Sequence, residues 1–138
     1  MKVQFISSVA VIARDPKDSR KLFVDALALP LKAMGGTEYY ASEHVEGSKH
    51  FGVWPLEEAA QACFGASTWP ADRPVPQVSI EFEVGSQGEV ETSAGELVEQ
   101  GYALLHGART EPWGQTVARL QTTDGVIVGI SYAPWMHA

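Results

Sequence analysis

Apolar residues alternate with small and polar ones from about residue 3 to residue 13, and this period of two, rich in β-branched side chains, predicts a half-buried β-strand. Asp15 then offers an N-cap, Pro16 suits a first helical turn, and Asp18 adds negative charge near the positive end of the helix. Leu22, Phe23, Ala26 and Leu27 recur at helical spacing, which gives the helix one apolar face before Pro30 stops it. From residue 31 to 54 the pattern predicts short strands broken by turns: Gly35-Gly36, then Thr37 to Tyr40, a polar tip from Glu43 to Ser48, and a strand from Lys49 to Trp54. Pro55 to Gly65 reads as a short separate helix. Ala66 to Gln77, with Pro70, Pro74 and Pro76, reads as a linker. A second strand at 77–84 leads to a helix at about 89–100 with Val90, Ala94, Leu97 and Val98 on one face and Gly101 as a left-handed C-cap. Strands near 102–108, 116–122 and 126–132 follow, with Asp124-Gly125 as a tight hairpin turn between the last two.

Laid side by side, the two halves repeat. Ser8 to Ala13 leads into one helix, and about 71 residues later Ser79 to Val84 leads into another; each half ends on a glycine-apolar step, Gly52-Val53 and Gly129-Ile130. The expected architecture is therefore α+β, a single domain of two βαβββ modules forming a curved mixed-sheet cleft, with module 1 at about 1–65, the linker at about 66–76 and module 2 at about 77–138. Strand parity turns Ser8, Ala10 and Ile12 towards the cleft in the first module, and Ser79, Glu81 and Glu83 in the second.

Composition narrows the function. At 138 residues and 45% hydrophobic the chain can close one core. Its formal charge of −7 argues against a nucleic-acid partner, since such proteins gather Lys and Arg on one face; an acidic surface serves solubility and also favours a cationic ligand. Cys63 is the only cysteine, so no internal disulfide or thiolate zinc cluster can form, and it reads as a small buried apolar residue. The first residues enter a strand directly, without a secretory signal, and no run is long enough to span a membrane, so a cytoplasmic setting with no membrane partner is expected.

The candidate site residues follow from parity and from aromatic content. Glu81 and Glu83 in one cleft could hold an ammonium group, act as a general base, or reach solvent. His50 shares parity with Gly52 and points the same way. It could pair with either carboxylate for proton transfer, join an atypical metal site, or serve as a hydrogen-bonded structural residue. Arg119 faces away from the helix side, where it could neutralise those carboxylates or bind an acidic ligand. Of the four tryptophans, Trp113 and Trp54 are candidates for stacking a planar ligand, with Tyr39 and Tyr132 weaker ones, whereas Trp69 and Trp135 are better read as sealing a junction or an interface. His44, His106 and His137 have no convergent partner in the sequence. No nucleophile elbow, phosphate-binding glycine loop or zinc-protease helix motif is present.

The strand, helix, three-strand order taken twice resembles the glyoxalase / bleomycin-resistance / dioxygenase (vicinal oxygen chelate) superfamily. The motifs that carry the resemblance are the entry Ser8 to Asp15 and the ending Glu111-Pro112-Trp113-Gly114-Gln115 with Thr123-Asp124-Gly125. The resemblance implies two half-barrels around a ligand cleft. In enzymes of the family it implies a divalent metal held from the first and last strands of each module. Those positions fall at Ser8, Ser79, Gly52 and Gly129 here, none a credible ligand, so no metal and no cofactor are expected. The branch resembled is the bleomycin-resistance-like set, homodimers that bind a drug or metabolite by sequestration. The expected function is metal-independent binding of a small, partly aromatic molecule in an aromatic and acidic cleft. The alternatives are an enzyme of the family (lyase, isomerase, dioxygenase or thiol transferase) with displaced ligands such as His50 and Glu81, and a structural or regulatory dimer with a degenerate cleft.

Overall fold

A computed structural model describes residues 1–137. Four strands come from each half of the chain: β1 (Phe5–Ala13), β2 (Lys32–Ala33), β3 (Tyr40–Ser42) and β4 (Phe51–Pro55), then β5 (Val78–Glu83), β6 (Leu104–Thr110), β7 (Thr116–Gln121) and β8 (Ile127–Tyr132). They form one open mixed sheet in the order β2-β3-β4-β1-β5-β8-β7-β6. The first strands of the two halves pair antiparallel at the centre, and each has its own last strand parallel on its outer side. Register carries the repeat: Ala10 lies beside Gly52 as Glu81 lies beside Gly129, and Ser8 opposes Glu81 as Ala10 opposes Ser79. A bulge at Ser7 interrupts the central pairing.

The helices cover the sheet unequally. α3 (Gln87–Glu99) starts at Ser86, whose side chain accepts from the Glu89 N–H, and its Val90 and Ala94 are buried with Val84, Ala118 and Ile130. Fully burying a valine such as Val90 stabilises by about 1.5–3 kcal/mol. Gly101, at φ 98°, follows it in the left-handed region, as the sequence predicts; Val98, by contrast, is exposed. α1 (Pro16–Arg20) is capped by Asp15 and widens into a π-helical turn, Lys21–Ala26, closed by a Leu27 N–H to Leu22 carbonyl bond. That widening changes the expected face: Phe23 and Val24 pack on Ala13, Leu31 and Val53, while Leu22 and Leu27 are exposed.

Two elements close the ends of the other face of the sheet. α2 (Leu56–Phe64) packs Ala59, Ala60 and Cys63 over Ile12 and Ile127, with Trp69 buried beside them. Ile12 is thus core rather than cleft wall, because α2 lies on it. At the opposite end a 3-10 turn, Pro134–Met136, crosses above Glu83 and Ala133. Among the described residues no helix is long and apolar enough to cross a membrane.

Candidate functional site

Between α2 and the C-terminal turn the sheet carries small residues, Ser8, Ala10 and Ser79, and these form the floor of a cavity of about 610 Å³, within the usual range for small-molecule sites. The Ser7 bulge turns both Ser7 and Ser8 towards it. One wall is built by Tyr39. The turn before it passes through Gly35 and Gly36 at φ 58° and 76°, and Thr37 accepts from the Tyr39 N–H while donating to the Met34 carbonyl. The Tyr39 ring lies over Gly52, where a Cβ would come within 2.5 Å of it. Its hydroxyl meets His50 Nε2 at 2.7 Å. Burial raises the Tyr39 pKa far above its ordinary value, nearby Glu81 adds to the rise, and a hydrogen bond with Ser8 opposes it. Burial lowers the His50 pKa, against the pull of Glu81, so both members of the pair are uncharged at neutral pH.

The opposite wall descends from the β6–β7 loop. Gly114, at φ 96°, turns the chain so that Trp113 stays half-exposed at the rim while Gln115 enters β7 buried. Both N–H donors of the Gln115 amide and one lone pair of its oxygen are used: Oε1 accepts from Trp113 Nε1 at 2.9 Å, and Nε2 donates to Glu81 Oε1 at 2.9 Å and to Ser131 Oγ at 2.8 Å. Glu81 leans over Gly129, where a Cβ would sit 3.0 Å from its Cγ.

Beneath Glu81 runs a chain of alternating charge. Arg119, 2% exposed, places Nη2 at 3.7 Å from Glu81 and Nη1 at 3.5 Å from Glu111, and its guanidinium lies 5.6 Å from the Trp54 ring centroid. Glu111 in turn accepts from Arg109 Nε at 2.8 Å, and Arg109 also donates to the Ala62 carbonyl near the end of α2. His106 Nε2 lies 3.1 Å from Arg119 Nη1. Burial pushes the His106 pKa down to about 4, Arg119 adds to the fall, and the bond to the Gly107 carbonyl opposes it. The neutral ring therefore accepts from Arg119 and donates its Nδ1–H to Gly107. Burial raises the Cys63 thiol pKa to about 11, which suits an unreactive core residue.

Of the sequence-predicted residues, Tyr39, His50, Trp54, Glu81, Trp113 and Arg119 converge on this cavity. Glu83 and Tyr132 do not. Glu83 has the predicted parity but is fully buried under the C-terminal turn, accepting from the Ala133 N–H at 2.5 Å and bonded to His137 Nε2 at 2.9 Å. Tyr132 packs with the α3 cluster and stacks on His137. Trp69 donates to the Pro74 carbonyl inside the core, whereas Trp135, expected to seal a junction or interface, is half-exposed at the cavity rim. Sequence reasoning missed Gln115, Glu58, Ser131 and His106. Gln115 shares strand parity with Arg119, a signal that could have found it; the His106 contact joins neighbouring strands across a register shift and left no such signal.

The family's metal positions can be tested directly. Serines stand at the two first-strand positions, and the space beside the last-strand glycines is taken by the Tyr39 ring and the Glu81 side chain. Among the described residues no group of three or more His, Cys, Asp or Glu side chains is placed to hold an ion. These residues do not fit the divalent metal of the family's enzymes.

No family model matches the sequence, and no curated protein matches it. Solved structures do match. A glyoxalase/bleomycin resistance protein/dioxygenase superfamily member from Vibrio splendidus 12B01 is 16% identical with a TM-score of 0.56, over 94% of this chain and 98% of that one. A Streptomyces coelicolor methylmalonyl-CoA epimerase variant, in complex with 2-nitronate-propionyl-CoA, is 12% identical with a TM-score of 0.63, over 99% of each chain. A Legionella pneumophila protein described as NAD-dependent benzaldehyde dehydrogenase is 13% identical with a TM-score of 0.57, over 90% of this chain and 96% of that one. Identities this low speak for the fold and not for a shared activity. Two βαβββ halves joined through their first strands, matched over nearly the whole length, give this chain the fold of the glyoxalase/bleomycin resistance/dioxygenase superfamily.

Proposed function

We propose that this protein binds a small, partly aromatic molecule in the cavity without a metal, by sequestration rather than turnover. The observation that carries the reading is the filling of both last-strand positions by Tyr39 and Glu81, which leaves an aromatic-walled space where the family's enzymes need ligands. Trp54, Trp113 and Trp135 supply flat apolar faces around it, and Glu81, Tyr39 and His50 supply hydrogen-bonding groups in its walls. The rival reading, a metal-dependent lyase, isomerase, dioxygenase or thiol transferase with His50 and Glu81 as displaced ligands, needs a free His50 Nε2, which is already hydrogen-bonded to the Tyr39 hydroxyl. In keeping with the resemblance, the protein acts as a cytoplasmic homodimer; a monomer mass by light scattering would remove the dimer from the proposal.

Elemental mass spectrometry tests the metal after incubation with manganese, iron, nickel and zinc and then desalting. Well below one equivalent per chain is expected, and one equivalent of a single metal would overturn the reading. Trp113 tests the cavity. Trp113→Ala is expected to weaken binding of an aromatic ligand found by thermal-shift screening by about tenfold or more, with stability close to wild type because the ring is half-exposed. Unchanged affinity would remove Trp113 from the site.

A further inference from the structure

The cavity has a charge preference, and it is not the one that its two sequence-predicted acids suggest. Only one of those acids, Glu81, reaches the cavity. Glu81 is already engaged there, by Gln115 Nε2 at 2.9 Å and by the Arg119 guanidinium at 3.7 Å. An ammonium group approaching Glu81 would meet the positive charge of Arg119 directly behind it. A ligand carboxylate would fare no better: Arg119 is 2% exposed and shared with Glu111, so it cannot turn to an anion, which would instead be held against Glu81. The remaining acids of the lining, Glu43 and Glu58, lie on the Tyr39 side. Glu58 is occupied by the Glu38 N–H, and its pKa is raised by burial.

What the cavity wall does offer is the contact between the Tyr39 hydroxyl and His50 Nε2 at 2.7 Å. Neither group is charged at neutral pH, since burial acts on both. The bond can run either way, from the Tyr39 hydroxyl to a bare Nε2 or from Nε2–H to the phenol oxygen, so with both partners neutral the hydroxyl can accept from or donate to a third group. Trp54 stands beside it, with its ring centroid 6.3 Å from that of Tyr39, and Trp113 faces it from the opposite rim.

We infer that the cavity selects an uncharged aromatic molecule carrying a hydroxyl or equivalent hydrogen-bonding group, docked on the Tyr39–His50 pair with its ring against Trp54 and Trp113. This rests on the binding reading above and narrows it to one charge class.

Four shape-matched probes test the inference by titration calorimetry on the full chain at pH 7.5: 2-naphthol, 2-naphthylmethylamine as its ammonium ion, 2-naphthoate and 2-methylnaphthalene. 2-Naphthol is expected to bind about tenfold or more tighter than either charged probe. Tyr39→Phe is expected to weaken 2-naphthol by about five- to twentyfold and leave 2-methylnaphthalene within about twofold, the loss of a hydrogen bond without loss of the apolar wall. His50→Gln gives an independent variant should Tyr39→Phe fold poorly, and the same loss for 2-naphthol is expected. Tighter binding of the ammonium or the carboxylate probe, weakened by Trp113→Ala, would overturn the charge inference while leaving the cavity reading standing. Equal binding of 2-naphthol to wild type and both variants would overturn the role of the pair. Failure of all four probes to bind would overturn the inference and count against the binding reading with it.

Discussion

A Cβ on Gly52 would lie 2.5 Å from the Tyr39 ring, closer than real side chains approach, so an alanine there must push the phenol off His50. Overpacking of this kind costs about 1–3 kcal/mol. Gly52→Ala should therefore lose about that much in urea unfolding, and less in a Tyr39→Ala background where nothing stands in the way; equal costs in the two backgrounds would mean that the ring is not what the glycine accommodates. A second prediction concerns His106. Its pKa is about 4 in the folded protein against about 6.5 ordinarily, so between these values the unfolded chain binds a proton that the folded chain refuses. Its contribution is complete above pH 6.5 and is lost as the pH falls towards 4, where a protonated ring would face Arg119 with like charge. Because the ring is only partly buried, the loss is about 1–2 kcal/mol once solvent screening is allowed for. Urea midpoints for wild type and His106→Gln at pH 7, 5.5 and 4 should converge towards low pH by that amount, and parallel curves would dismiss the effect.

At the scale of elements, the β6–β7 hairpin shows how one backbone angle serves the cavity. Gly114 at φ 96° sets Trp113 outside and Gln115 inside, and the two remain joined by the indole N–H. Gly114→Ala should cost about 1–2 kcal/mol by urea unfolding, since an L-residue resists that angle, and should weaken ligand binding alongside. Gly107→Ala, in the neighbouring strand with no heavy atom within 4 Å of the added methyl and no positive φ, should stay within about 0.5 kcal/mol. If both substitutions behave alike, the turn angle is not the cause. Elements were also where the sequence was most legible. Alternation placed all of the long strands, and the repeat put Ser8 with Ser79 and Gly52 with Gly129 in the register that the sheet adopts. The face of α1 was not legible, because Leu22 and Leu27 suit an apolar stripe at 3.6 residues per turn but line up on the exposed side of a π-turn. Tyr39 was named only as a stacking ring; its contact with His50 depends on a turn geometry that periodicity does not encode.

For the molecule as a whole, Glu83 marks where strand parity stops being informative. Parity fixes which face of the sheet a side chain leaves from, but not what the rest of the chain lays over that face. Here the C-terminal turn arrives fifty residues later in sequence and converts an expected cleft carboxylate into a buried anchor: Oε2 accepts from Ala133 and bonds to His137, Oε1 has no partner among the described residues, and Phe5 lies against the His137 ring. The turn so anchored holds Trp135 and Met136 at the cavity rim, so a residue outside the cavity governs part of its wall. Glu83→Gln keeps the volume but weakens bonds made to a carboxylate, and it should destabilise the fold by about 1–3 kcal/mol. The same change should free the last turn before the sheet unfolds, because residues 134–137 make few other contacts of that strength. Hydrogen exchange should accordingly show faster exchange of the Ala133, Met136 and His137 amides with β5 and β8 still protected, and aromatic ligand affinity should fall with it. Unchanged exchange at those amides, even with lower global stability, would mean that the turn is held by its own packing and that Glu83 serves the core alone.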